Sequence, residues 1–153
     1  MILYLEFNKI VRALIATKAK FAVAGGLAVG LHGHLRSTKD IDLLSRTEDL
    51  DLIRGVLKAA GYRESGNGVS FPKSGLGLRR FYRRPPQAQE LLMIDILLVE
   101  SPRMAKILQG AVRISYGGFK LPVVAIDDLI TMKKMRGSTQ DKADIEKLKP
   151  KRR

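Results

Sequence analysis

The chain has no cysteine and only two histidines among its 153 residues. The first absence excludes disulfides and thiolate metal sites, and the second leaves a zinc site short of ligands unless carboxylates supply most of them. Any metal is expected to be hard and held by oxygen. Long apolar runs are also missing: none approaches the roughly 20 residues that span a bilayer. The N-terminus, Met1-Ile2-Leu3-Tyr4-Leu5-Glu6-Phe7, has an early acid and neither a basic leader nor a small-residue cleavage site, so a cytoplasmic protein with no membrane partner is expected. Acids are scarce too, 15 against 28 lysines and arginines, giving a formal net charge of +13. Such an excess draws polyanions by counterion release and makes nucleic acid the leading partner class, with a merely solvated cationic surface as the alternative. Neither a P-loop nor a Gly-x-Gly-x-x-Gly turn occurs.

What is present reads as one compact domain over residues 1–148 with a basic tail at 149–153. Phe7, Ile10, Val11, Leu14 and Ile15 recur at helical spacing and predict a helix from Leu5 to about Thr17. Phe21 to Ala24 is a buried strand turning at Gly25-Gly26 into a short helix from Leu27 to Leu31, and Asp40 to Leu44 is a second strand. A helix follows over Glu48 to Ala60, stopped by Gly61. Residues 62–89, rich in glycine, proline and arginine, carry weak strand signals at Val69 to Phe71 and Leu78 to Tyr82 and are expected to form an exposed hairpin or loop. Leu91 to Val99 is the longest apolar run and predicts a central strand. A helix over Ser101 to Leu108, strands at Val112 to Tyr116 and Phe119 to Val124, and helices over Asp127 to Met135 and Thr139 to Leu148 complete a mixed α/β (α+β) pattern, a small mixed sheet with helices packed on it.

The chemistry gathers on acids. Residues two apart on a strand share a face, so Asp40 and Asp42 project together while Ile41 and Leu43 point into the core. Two adjacent carboxylates repel unless a cation lies between them, and Mg2+ commonly takes one or two carboxylates plus substrate phosphates. Solvated strand-edge acids paired with Arg36 and Lys39 are the bland alternative. Asp95 is flanked by four apolar residues on each side, and burying it unpaired would cost several kcal/mol. If its strand lies beside that of Asp40 and Asp42, three acids converge as in the two-metal clamp of phosphoryl transfer, and Asp95 can accept the proton of an attacking hydroxyl. Gly25-Gly26 offers bare backbone to phosphate oxygens. Arg79-Arg80-Phe81-Tyr82-Arg83-Arg84 interleaves guanidinium groups with aromatics, which suits nucleic-acid binding through Arg79, Arg80, Arg83 and Arg84; a charged edge that blocks aggregation explains it equally well. His32 and His34 are expected to cap backbone carbonyls rather than to catalyse.

Gly25-Gly26, Asp40-x-Asp42 and the later Asp95 resemble, in order, the signature of the DNA polymerase β-like nucleotidyltransferase superfamily. Within it, Gly25 to Ala28, His32-Gly33, and Arg36 to Asp42 resemble the AbiEii-type nucleotidyltransferases of type IV toxin–antitoxin systems, whose late helix matches Lys133, Arg136, Asp141 and Asp144. The resemblance implies a nucleotidyltransferase fold and a magnesium-dependent transfer of a nucleoside monophosphate from a nucleoside triphosphate to a hydroxyl. Asp40, Asp42 and Asp95 would be catalytic and metal-binding. Arg36 and Thr38 would brace the turn or touch the triphosphate, and Lys133 would contact the nucleotide. With the charge, it favours an RNA acceptor, tRNA first, and an antitoxin partner protein. A catalytically silent nucleic-acid-binding or regulatory module is the alternative; a small hydroxylated acceptor such as an aminoglycoside stands third, because cationic substrates suit acidic clefts.

Overall fold

The computed structural model describes residues 2–34, 37–86 and 89–150. It is a mixed α/β structure, as the pattern of periodicities predicts, with seven strands in one sheet in the order β3-β4-β5-β2-β1-β7-β6. The elements run α1 (Ile2–Ile15), β1 (Phe21–Ala24), α2 (Gly25–Leu31), β2 (Asp40–Arg46), α3 (Leu50–Ala59), β3 (Arg63–Phe71), β4 (Leu76–Arg83), β5 (Leu92–Val99), α4 (Pro102–Gln109), β6 (Val112–Tyr116), β7 (Phe119–Val123), α5 (Ile126–Arg136) and α6 (Thr139–Leu148). β2 runs parallel to β5 and β1 parallel to β7, while the remaining pairs are antiparallel.

Local sequence accounts for most of these boundaries. α1 buries Phe7, Ile10, Val11 and Leu14 along one stripe. All four residues of β1 are buried, which explains why its apolar run does not alternate. Ser101 caps α4 by accepting from the Met104 amide, with proline in the first turn, and Ser138 with Asp141 forms a capping box on α6. α2 starts at Gly25 itself, two residues before the expected Leu27.

At residues 62–89 the expected hairpin forms and its first strand is exposed, but its second strand is not. The expected exposed hairpin or loop is a long hairpin built into the sheet: β3 is the outermost strand, whereas β4 is hydrogen-bonded on both sides, to β3 and to β5. β4 is therefore not an edge, and Phe81 is fully buried in the hydrophobic core rather than presented as a stacking platform. Ile41, Leu43, Ile94 and Ile96 are fully buried with it. Their strand neighbours Asp40, Asp42 and Asp95 therefore alternate to the other face, towards α5.

Candidate active site

The parallel register of β2 and β5 sets Asp42 directly beside Asp95, and the antiparallel register of β4 and β5 sets Arg80 beside Asp95. One row thus crosses three strands as Asp42, Asp95, Arg80. Asp40 lies on the same face two residues upstream, opposite Met93. Arg80 grips Asp95 with both arms of its fork, Nε donating to Oδ1 at 2.8 Å and Nη2 to Oδ2 at 2.9 Å. The hydrogen bond raises the basicity of Arg80 further.

Asp42 has no such partner among the contacts of this row. Burial first, then the charges of Asp95 and Asp40, push its carboxyl up to about 6. Asp40 is raised as well, by burial and by Asp95, against the opposing pull of Arg80, Arg136 and Lys39. Gly25 explains how the main chain fits there. Its φ is +63°, and a Cβ on it would lie 2.0 Å from Oδ2 of Asp42, so the carboxylate occupies space that only glycine leaves free.

Facing this row, α5 and α6 hold a second charged cluster. The buried Lys133 places Nζ 3.1 Å from Asp144 and 3.7 Å from Asp141. Arg136 donates two hydrogen bonds to Asp141, at 2.6 and 2.7 Å, and Ser138 adds its amide and its hydroxyl. Burial pushes the Asp141 carboxyl up, yet these donors outweigh it and hold the group at about 2. A cleft of about 440 Å³ lies between the two clusters. Gly25, Asp42, Asp95, Arg80, Lys133 and Arg136 are among its lining residues, together with Leu76, Leu78, Leu97 and Met132.

The structure thus brings Asp42, Asp95, Gly25 and Lys133 to one cleft, with Asp40 on the same strand face as Asp42 but not among the lining residues. Gly26 is buried in α2, and Thr38 donates from Oγ1 to the Asp40 carbonyl at 3.3 Å, bracing the entry to β2. Arg36 and residues 151–153 lie outside the described residues. Among the described residues no group of three His, Cys, Asp or Glu side chains is disposed to hold a metal ion. Of the three acids expected to bind metal, Asp95 has both oxygens hydrogen-bonded to Arg80.

The four arginines grouped for nucleic acid have separate surroundings. Arg80 pairs with Asp95, Arg83 with Glu6 of α1, Arg84 donates to the Gln89 carbonyl, and Arg79 is half-buried. Alternation along β4 signals that Arg80 faces away from Arg79, Phe81 and Arg83; which face meets the acids depends on strand order and could not be read from the run itself. His32 donates from Nε2 to the Val124 carbonyl at 2.8 Å, as a capping histidine does.

The fold is that of the nucleotidyltransferases. A family model described as aminoglycoside-2''-adenylyltransferase matches residues 6–73, which include Gly25, Gly26, Asp40 and Asp42 but end before Asp95. Similar solved structures include the Thermotoga maritima protein TM1012 (16% identity, 94% of this chain and 91% of that one, TM-score 0.66). ANT(2'')-Ia in complex with adenylyl-2''-tobramycin is 15% identical over 97% of this chain and 88% of that one, with a TM-score of 0.66. The lincosamide antibiotic adenylyltransferase LnuA, with lincomycin bound, is 18% identical over 94% of each chain, with a TM-score of 0.63. At these identities the likeness is one of fold. No curated protein sequence matches the chain. No helix among the described residues is long and apolar enough to cross a membrane.

Proposed function

We propose that this chain is a nucleotidyltransferase that moves a nucleoside monophosphate from a nucleoside triphosphate to a hydroxyl. The hydroxyl oxygen bonds to the α-phosphorus, the bond from that phosphorus to the oxygen bridging it to the β-phosphate breaks, and pyrophosphate leaves. The observation that carries this reading is Asp42 beside Asp95 across parallel strands, with Asp40 upstream, facing Lys133 and Arg136 across one cleft.

Magnesium suits Asp40 and Asp42. They share a strand face, and both carboxyls are raised by burial and by neighbouring negative charge, which marks a place short of positive charge. When bound there, a divalent cation would neutralise charge on the transferring phosphoryl oxygens. The chain's own residues supply the rest of the machinery: Asp40 and Asp42 offer ligand oxygens, Gly25 leaves the main chain bare beside them, and Lys133 and Arg136 present positive charge to an anionic substrate. Asp95 keeps lone pairs not used by Arg80 and is the group to take the proton of the attacking hydroxyl.

For the acceptor, a compact hydroxylated molecule is favoured by the apolar residues Leu76, Leu78, Leu97 and Met132 in the cleft lining, and by the adenylyl-2''-tobramycin and the lincomycin found with two proteins of this fold. An RNA acceptor, tRNA first, is the second reading and rests on the net charge of +13. The AbiEii-type motifs and an antitoxin partner belong with that second reading.

Calorimetric titration with each nucleoside triphosphate and Mg2+, for wild type and Asp42→Ala, tests the reaction. Magnesium-dependent binding that the variant loses supports it. Binding that ignores both magnesium and the substitution would sink it in favour of a silent module. Labelled triphosphate offered with total RNA or with a panel of hydroxylated antibiotics then separates the acceptors by the size of the labelled product.

A further inference from the structure

We propose that Arg80 takes the place of a second divalent cation, so that this site works with one metal ion where the fold's two-metal clamp would hold two. The inference rests on the reading of Asp40 and Asp42 as metal ligands. It concerns the other half of the row, where Asp95 would be the shared ligand of a second ion.

The geometry of the pair is that of an occupied position. Both Asp95 oxygens are engaged, at 2.8 and 2.9 Å, by a planar fork presented from the directly neighbouring residue of β4. The Asp95 side chain is 10% exposed and fixed by a central strand, so its charge requires a counter-charge at all times. Arg80 provides one from within the sheet. Its own side chain is 44% exposed and lines the same cleft as Asp95.

Charge balance points the same way. With Asp40, Asp42 and Asp95 ionised, one guanidinium and one divalent cation make the group neutral. A second divalent cation would leave this group positive until an anionic substrate binds; Lys133 and Arg136 on the facing wall are balanced by Asp141 and Asp144 and do not enter the count.

Counting Mn2+ ions bound to the nucleotide-free protein, by the electron paramagnetic resonance signal of the free ion, tests this without any turnover. Wild type is expected to bind one Mn2+, lost in Asp42→Asn. Arg80→Gln should bind two, and Arg80→Gln with Asp95→Asn should return to one. Arg80→Lys, which keeps the charge without the fork, should stay at one. Two ions on wild type, or one ion at unchanged affinity on Arg80→Gln, would overturn the proposal. A second ion that persists when Asp95 is also replaced would overturn it too, since the ion would then lie elsewhere. The wild-type count stands even if Arg80→Gln folds poorly. No Mn2+ on any form would remove the metal reading itself, and this inference with it, whereas one ion held through Asp42 keeps that reading while the Arg80 variants decide the inference.

Discussion

The two walls of the cleft each bury carboxylates, yet these titrate in opposite directions. On the sheet, Asp42 rises to about 6; on the helical wall, Asp141 falls to about 2. Burial heads the causes in both cases and raises both groups. What differs is the company. Asp141 receives two hydrogen bonds from Arg136 and two from Ser138, whereas Asp42 faces Asp95 and Asp40. A carboxylate supplied with a full set of donors is a structural fastening. One placed among other carboxylates raises the energy of the folded chain until a cation arrives, and such a placement is the signature of a binding site.

If that division is right, replacements on the two walls should fail differently. Asp141→Ala is expected to have the largest effect, because it leaves Arg136 and the buried Lys133 without their shared partner; stability should fall by about 3–5 kcal/mol, read from urea unfolding. A loss below about 1 kcal/mol would show that the helical cluster is not a fastening. Asp42→Asn should do the reverse, leaving the fold intact while transfer drops by about 10²–10³-fold or more, as when one preorganised electrostatic group is removed.

The same Asp42→Asn variant sharpens the contrast through pH. The folded carboxyl is pushed up to about 6 from the ordinary 3.8 of an unfolded chain, so the folded state binds the proton more tightly. Stability from protonated Asp42 is complete below about pH 4 and is lost as the pH climbs through 6. In metal-free buffer the asparagine variant should match wild type at the acid end and exceed it above pH 6, by about 3 kcal/mol. Thermal melts across that range measure the gap. Asp141 has the opposite sign: its contribution is present above about 4 and is lost as the pH falls towards 2.

Much of the sheet wall was legible because its signals are local. Asp40 and Asp42 alternate with buried Ile41 and Leu43, and a lone acid within the Leu91 to Val99 run demands a partner. The convergence of these acids needed only that β2 and β5 be neighbours, and they are. The partner itself was not legible. Arg80 stands in a run of four arginines and two aromatics, and nothing in that run says that Phe81 belongs to the core and Arg80 to the acids; strand order decides it. Only the end of β3 at Val69 to Phe71 signalled a strand, since nearly all of β3 is exposed and it is broken by a register shift between Ser65 and Val69, so it lacks the apolar alternation that marks a strand. On the helical wall, resemblance picked out Lys133, Arg136, Asp141 and Asp144, but their mutual pairing is tertiary and left no periodic trace.

Two glycines allow the walls to be compared with the smallest change. Gly25 and Gly137 have nearly the same left-handed backbone, φ +63° and +70°, so alanine at either should cost about 1–2 kcal/mol through conformation alone. Their surroundings differ. A Cβ at Gly137 meets only the Lys134 carbonyl, at 3.7 Å, an ordinary contact, whereas a Cβ at Gly25 would lie within 2.0 Å of the Asp42 carboxylate and must turn it aside. Gly137→Ala should therefore lower stability and leave Mg2+-dependent nucleotide binding as it was. Gly25→Ala should lower stability by a similar amount and weaken that binding as well, although no ligand atom is removed. Equal binding by the two variants would mean that the orientation of Asp42 does not matter to the nucleotide, and the sheet wall would lose its claim to be the working one.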